Sequence, residues 1–202
     1  MPPLRSGIVL AGGRSTRFGS DKLGASLDGI PLVRRAVDAL AAVTTSVIVV
    51  VPPGVERDDL PGDVTVAHDL QEGEGPLAGL HTGLLAAVRT DQVVVAGGDM
   101  PALQPSVLRL LLDTLDEASV DASALADGDH PRPLPMALRT WPAADAVHTL
   151  LHAGRRRLRD VLDASRTAVI DEETWTALDP GRLTLRDVDE PGDLDGAGDR
   201  SG

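Results

Sequence analysis

Gly7-Ile8-Val9-Leu10-Ala11-Gly12-Gly13-Arg14-Ser15-Thr16-Arg17-Phe18-Gly19-Ser20-Asp21-Lys22 decides how the rest of the chain is read. Ile8 to Ala11 is a short apolar run bounded by glycines, the pattern of a parallel strand buried on both faces. At Gly12-Gly13 the apolar pattern stops. Adjacent glycines leave no Cβ between backbone and ligand, and they permit positive φ, so successive N–H groups can form an anion-binding nest. Arg14, Arg17 and Lys22 then bring positive charge. A glycine turn leaving a buried strand and followed by cations is chemistry for a phosphorylated ligand.

Two familiar phosphate loops do not fit. A P-loop needs Gly-Lys followed by Ser or Thr, whereas Gly19 is followed by Ser20-Asp21 before Lys22. The dinucleotide fingerprint needs a different glycine spacing from Gly12-Gly13. Composition narrows the choice further. Across 202 residues, 19 Lys and Arg stand against 31 Asp and Glu, a net charge of -12, which argues against a nucleic-acid binder. In so acidic a chain a phosphorylated ligand needs a local cationic pocket, and the opening loop supplies one. There is no cysteine, so disulfides and thiolate metal sites are excluded. No signal-peptide core and no membrane-length apolar run is present, so a soluble cytoplasmic protein is expected. Phe18, Trp141 and Trp175 are the only aromatics, which leaves the core to Leu, Val, Ile and Ala and gives Phe18 a packing role in the loop.

Downstream, apolar runs alternate with helical patterns. Pro31 opens a helix with Val33, Ala36, Val37, Leu40 and Val43 on one face. Ser46 to Val51 reads as a strand, Val64 to Ala67 as a weaker one, and Pro76 opens a helix to about Arg89 with Leu77, Leu80, Leu84 and Val88 as its buried stripe. Gln92 to Ala96 is a further strand, and Pro105 starts a leucine-rich helix to about Leu115. Strands separated by helices with short loops predict an α/β fold, an open and mostly parallel Rossmann-like sheet with helices on both faces. With no repeat and no linker, residues 1–195 read as a single domain and 196–202 as a disordered tail. After Asp121 the signal weakens. Asp121 to Ala126 and Leu134 to Leu138 are candidate strands, Gly154 to Ala164 an amphipathic helix with a basic flank at Arg155-Arg156-Arg157, and Arg182 to Val188 a last strand.

Ligands of open α/β sheets sit at the carboxyl ends of the strands. Three loops leave such ends: Gly12 to Lys22, Asp69 to Gly79, and Gly97 to Pro101. Asp99, between glycine and Met100-Pro101, suits a Mg–nucleotide complex, because Mg²⁺ takes one or two carboxylates plus phosphate oxygens; an N-cap for the next helix is the plainer role. A second acidic segment, Asp187-Val188-Asp189-Glu190-Pro191-Gly192-Asp193, would project residues 187 and 189 to one face if extended. Gly79 and Gly83 leave one side of their helix without bulk, for packing or for a ligand. His68, His81, His130, His148 and His152 show no spacing suited to zinc and read as surface or loop residues.

The opening stretch resembles the signature of the open α/β nucleotidyltransferases, Leu-Ala-Gly-Gly-x-x-x-Arg-(Met/Phe)-Gly-x-Asp-Lys, at Leu10, Ala11, Gly12, Gly13, Arg17, Phe18, Gly19, Asp21 and Lys22. Within that superfamily the chain is most similar to the molybdenum cofactor guanylyltransferases, on Gly75-Pro76-Leu77-Ala78-Gly79 and on Asp69 ahead of it. The resemblance implies nucleotide binding by Leu10, Ala11, Gly12, Gly13, Lys22, Asp69, Gly75, Pro76, Leu77, Gly79 and Asp99. It implies catalytic roles for Arg17, Lys22 and Asp99, and a Mg²⁺ held by Asp99 and Asp189. GTP and a molybdopterin-type cofactor would be substrates, molybdoenzyme maturation proteins would be partners, and neither nucleic acid nor membrane would be bound. Two departures pull the other way: Glu190 replaces the usual Thr, and acids replace the asparagines of the guanylyltransferases, as in cytidylyl relatives. A relative using CTP or another phosphorylated acceptor, and a nucleotide-binding regulator without catalysis, are the alternatives; Lys22 together with Asp99 argues against the regulator.

Overall fold

The computed structural model describes residues 1–12, 22–69, 75–189 and 193. Its first strand, β1 (Arg5–Leu10), leads to a short antiparallel ribbon of β2 (Ser26–Leu27) and β3 (Ile30–Pro31), preceded by a 3₁₀ turn at Lys22–Gly24. Then follow α1 (Leu32–Ala41), β4 (Ser46–Val51), β5 (Thr65–His68), α2 (Pro76–Ala86), β6 (Gln92–Gly97) and α3 (Pro105–Ala118). The second half adds β7 (Ala122–Asp127), β8 (His130–Arg139), α4 (Thr140–His152), α5 (Arg159–Ala164), β9 (Thr167–Ile170) and α6 (Glu172–Thr176).

The strands form one 7-stranded sheet in the order β5-β4-β1-β6-β8-β7-β9. β5, β4, β1 and β6 are mutually parallel, so the carboxyl ends of β1, β5 and β6 lie on the same edge. β8 runs antiparallel to both neighbours, because only the short loop Gly128–Asp129 joins it to β7, and so short a connection makes only an antiparallel pair.

Alternate side chains divide the sheet between two cores. Val9, Val47, Val49, Val51, Val94 and Ala96 pack with α1 and α3, through Val33, Val37, Leu40, Leu108, Leu111 and Leu115. Ile8, Ile48, Val50, Val93 and Val95 pack with α2, α4 and α5 on the other face, through Leu77, Leu80, Leu84, Val147 and Val161. This period-two split of near-continuous β-branched runs is what a strand covered on both faces requires. The expected open, mostly parallel sheet with helices on both faces is therefore observed. Among the described residues no helix is long and apolar enough to cross a membrane.

Several boundaries differ from the sequence reading. α2 stops at Ala86, its C-cap Ala87 is buried, and Val88 is exposed rather than part of the buried stripe. The helix expected from Gly154 starts only at Arg159, since Gly154 takes φ 76° to end the preceding turn. No strand forms over Arg182 to Val188. Asp179 folds that segment locally, its carboxylate accepting from the Thr184 N–H at 2.7 Å and its carbonyl from the Arg182 N–H at 2.9 Å, and a 3₁₀ turn at Leu183–Leu185 results. Helix α4 and strand β9 were not anticipated. Phe18 and the tail 196–202 lie outside the described residues.

Gly83 and Gly79 sit one turn apart on α2 but differ in clearance. A Cβ on Gly83 would stand 2.7 Å from Ile8 Cγ2, whereas one on Gly79 would meet nothing closer than 3.5 Å. Gly83→Ala should therefore destabilise by about 1–3 kcal/mol through overpacking. Gly79→Ala should be neutral or stabilising by up to about 1 kcal/mol through helix propensity. Urea denaturation of both variants checks this; equal effects would contradict the packing of α2 on β1.

Candidate active site

Three segments far apart in sequence meet at the carboxyl ends of β1 and β6. The first is the turn at Lys22. Leu23, beside it, packs over Gly98, where a Cβ would lie 3.3 Å from Leu23 Cδ2. The second is the end of β6, tied to β1 by the Gly98 N–H donating to the Leu10 carbonyl at 3.0 Å. The third is the returning chain at Val188 and Asp189. Val188 is buried against Leu27 and Leu32 in a small separate core, and its N–H donates to the Asp99 carbonyl at 2.9 Å. Asp189 is steadied by its own N–H, which donates to Asp193 Oδ2 at 2.8 Å.

The product of this convergence is a shared cation. Lys22 Nζ donates to Asp99 Oδ2 at 3.0 Å and to Asp189 Oδ1 at 3.0 Å. The lysine side chain is 12% exposed, against 33% for Asp99 and 61% for Asp189. Burial alone would lower the Lys22 pKa, but the hydrogen bonds and charges of Asp99 and Asp189 outweigh it and hold the ammonium above its ordinary value. It is protonated throughout the neutral range. Asp99 does not cap the following helix, whose N-cap is Gln104. Asp187, on the other side of Val188, is exposed and is not among the partners of Lys22.

The phosphate loop is described only at its start. The Ala11 N–H donates to the Val50 carbonyl at 2.8 Å and so continues the sheet rather than the nest. Gly12 is exposed, with nothing within 4 Å of where its Cβ would stand. Gly13, Arg14 and Arg17 lie outside the described residues.

On the β5 side, the Asp69 N–H donates to the Val51 carbonyl at 2.8 Å, and Asp69 Oδ1 accepts from Thr82 Oγ1 at 2.8 Å. Gly79 lies beneath the carboxylate: its Cβ would be 3.5 Å from Asp69 Oδ2 and 3.7 Å from Leu10 Cδ2. Gly75 caps α2 with φ 86°, a backbone region open to glycine. Beside it the Arg156 carbonyl accepts from the Leu77 N–H at 3.4 Å, and the Leu77 side chain is fully buried. Gly75 and Pro76 are exposed. The basic flank is partly neutralised, because Arg155 Nε donates to Asp160 Oδ2 at 3.0 Å and holds that carboxyl below its usual range.

Sequence reasoning missed three features of this region: the Thr82 contact, the anchoring of Val188, and a ring contact of His81 with His148 and of His148 with His152, centroids 5.8 and 4.2 Å apart. The Val188 anchor is visible as an apolar residue between acids; the other two depend on how α2 and α4 pack. Among the described residues no group of three or more His, Asp or Glu is placed to hold a metal ion.

An exposed glycine after β1, a lysine and two carboxylates thus lie at the carboxyl edge of the parallel strands, and the proteins this chain is similar to are nucleotidyltransferases. Nucleotidyltransferase is the class. A probable molybdenum cofactor guanylyltransferase of Natronomonas pharaonis is 34% identical, over 97% of this chain and 98% of that protein. Another, of Deinococcus radiodurans, is 37% identical over 96% of this chain and 93% of its own length. The solved structure of molybdopterin-guanine dinucleotide biosynthesis protein A from Archaeoglobus fulgidus superposes with a TM-score of 0.77, at 25% identity and 96% coverage of both chains. The chain belongs to the MobA-like NTP transferase family, whose domain matches residues 7–169.

The shared lysine makes a stability prediction. Lys22→Met leaves the Asp99 and Asp189 carboxylates without the ammonium that bridges them. The variant should lose about 1 kcal/mol at pH 7. The deficit should persist across the neutral range and shrink only as pH rises through the raised Lys22 pKa, where the parent's ammonium loses its proton. Denaturation at a series of pH values reads this; a variant as stable as the parent at every pH would contradict the bridge.

Proposed function

We propose that this chain transfers GMP from GTP to the terminal phosphate of a molybdopterin-type molybdenum cofactor. An acceptor phosphate oxygen bonds to the α-phosphorus, the bond from that phosphorus to the bridging oxygen of the β-phosphate breaks, and pyrophosphate leaves. The observation that carries the reading is the meeting of Lys22, Asp99 and Asp189, each within 3.0 Å of its partner. Such transfer needs alignment and charge neutralisation more than a protein nucleophile.

The donor set fits a Mg²⁺ ion. Two carboxylates converge on one cation position, and Mg²⁺ takes one or two protein carboxylates beside phosphate oxygens and water. Asp99 and Asp189 would hold it, and when bound it neutralises phosphate charge. Lys22, protonated and displaced from the two carboxylates by that ion, would offset charge growing on the α-phosphate and leaving pyrophosphate. Gly12 admits triphosphate oxygens close to the backbone, with Gly13 and Arg17 completing the loop in this reading. Leu10, Ala11, Gly75, Pro76, Leu77 and Gly79 border the nucleoside side, where Asp69 accepts from guanine N1–H and the 2-amino group.

The CTP alternative rested on acids near the C-terminus. Asp189 hydrogen-bonds to Lys22 beside Asp99, so its acidity bears on the phosphate end rather than on the base. The names of the relatives support GTP and the molybdenum cofactor. A cytoplasmic location and molybdoenzyme maturation proteins as further partners belong to the same reading.

A pyrophosphate-release screen over four nucleotides, with Mg²⁺ and molybdopterin cofactor, tests it. GTP should be the preferred donor. Asp99→Ala should lower the rate by orders of magnitude, several kcal/mol in the barrier by roughly 1.4 kcal/mol per tenfold, while melting near the parent. Equal or faster turnover with CTP would overturn the guanylyl assignment, and a fully active Asp99→Ala would remove Asp99 from the chemistry.

A further inference from the structure

The hydroxyl of a helical threonine ordinarily turns back on its own helix, to the carbonyl three or four residues earlier. Two helical threonines of this chain do so: Thr114 Oγ1 donates to the Leu110 carbonyl at 2.8 Å, and Thr176 to that of Glu172 at 2.5 Å. Thr82 does not. Its Oγ1 leaves α2 and donates to Asp69 Oδ1 at 2.8 Å, across to the end of β5.

The surroundings of that bond are arranged around the carboxylate. The Asp69 backbone is fixed by the Val51 carbonyl at 2.8 Å. Gly79, one turn before Thr82, offers no side chain, and Oδ2 lies 3.5 Å from where its Cβ would be. Leu10, the last residue of β1, closes the same space at 3.7 Å from that point. The carboxylate thus lies against a bare stretch of helix with Oδ1 held by Thr82, while an ionised carboxylate retains acceptor capacity beyond one hydrogen bond. A carboxylate free to rotate about its Cα–Cβ and Cβ–Cγ bonds presents no fixed pattern to a base; one clamped at a single oxygen does.

We infer that Thr82 is a positioning residue for base selection, clamping the Asp69 carboxylate so that its remaining acceptor sites meet the guanine donors in one orientation. The inference rests on the reading of Asp69 as the base contact. Thr82 itself need not touch the nucleotide.

The test compares GTP with inosine triphosphate, which lacks only the 2-amino donor. Affinities are measured by calorimetry with Mg²⁺ on the full chain, for wild type, Thr82→Val, Thr82→Ala and Thr82→Ser. A hydrogen bond to a charged group corresponds to about tenfold to a hundredfold in affinity, so wild type should prefer GTP by that ratio. Thr82→Val, with the same shape and no hydroxyl, should bring the ratio towards one while binding inosine triphosphate nearly as the parent does. Thr82→Ala should behave alike, and Thr82→Ser should restore the ratio. If Thr82→Val and Thr82→Ala keep the full preference, or weaken both ligands equally, the positioning role is overturned and the base reading of Asp69 stands. If wild type itself makes no distinction, Asp69 does not read the 2-amino group and the inference falls with that reading.

Discussion

One ammonium group holds the site of this protein in shape. Among the described residues, Lys22 Nζ joins a turn following β1, the end of β6 and the returning C-terminal segment through side chains. Its two partners leave the trio with more negative than positive charge. In a chain of net charge -12, such a trio does not attract a triphosphate by itself. The same two carboxylates, relieved of the lysine, are a pair of hard oxygen ligands, and the lysine, relieved of them, is a free cation beside a phosphate. In the proposed reading the site takes a nucleotide that arrives with a divalent ion.

The fold supplies this geometry economically. Four parallel strands bring three strand ends to one edge, and alternating side chains lock β1, β4 and β6 between two cores. The small core of Leu27, Leu32 and Val188 then does what the sheet cannot, fixing a segment that has no strand to pair with. The backbone bond from Val188 to the Asp99 carbonyl and the side-chain bond from Lys22 to Asp189 tie this segment to the end of β6 and to the turn at Lys22.

Much of this was legible in the sequence because it is local. The runs Ile8 to Leu10, Ser46 to Val51 and Gln92 to Ala96 are strands by pattern alone, whereas Asp99 and Asp189 stand out only through the family resemblance. What failed depends on partners distant in the chain. Arg182 to Val188 looked extended, but a side chain of Asp179 and a turn at Leu183–Leu185 prevent pairing. Helix α4 opens on Trp141-Pro142 with polar residues interleaved, so its periodicity was faint; only contact with α2 and α5 reveals its buried Ala143 and Val147. Thr82 was invisible for the same reason. A threonine inside a glycine-spaced helix carries no mark of the carboxylate it reaches.

The central claim is that Asp99 and Asp189 share a divalent ion beside Lys22 when nucleotide is bound. It is tested most directly by a crystal structure with Mn²⁺ and a non-hydrolysable GTP analogue, the metal located by anomalous scattering. The account predicts an anomalous peak bonded to an oxygen of each aspartate, with Lys22 Nζ turned from them to the phosphates. A peak away from both carboxylates, with Lys22 still bridging Asp99 and Asp189 under bound nucleotide, would contradict it.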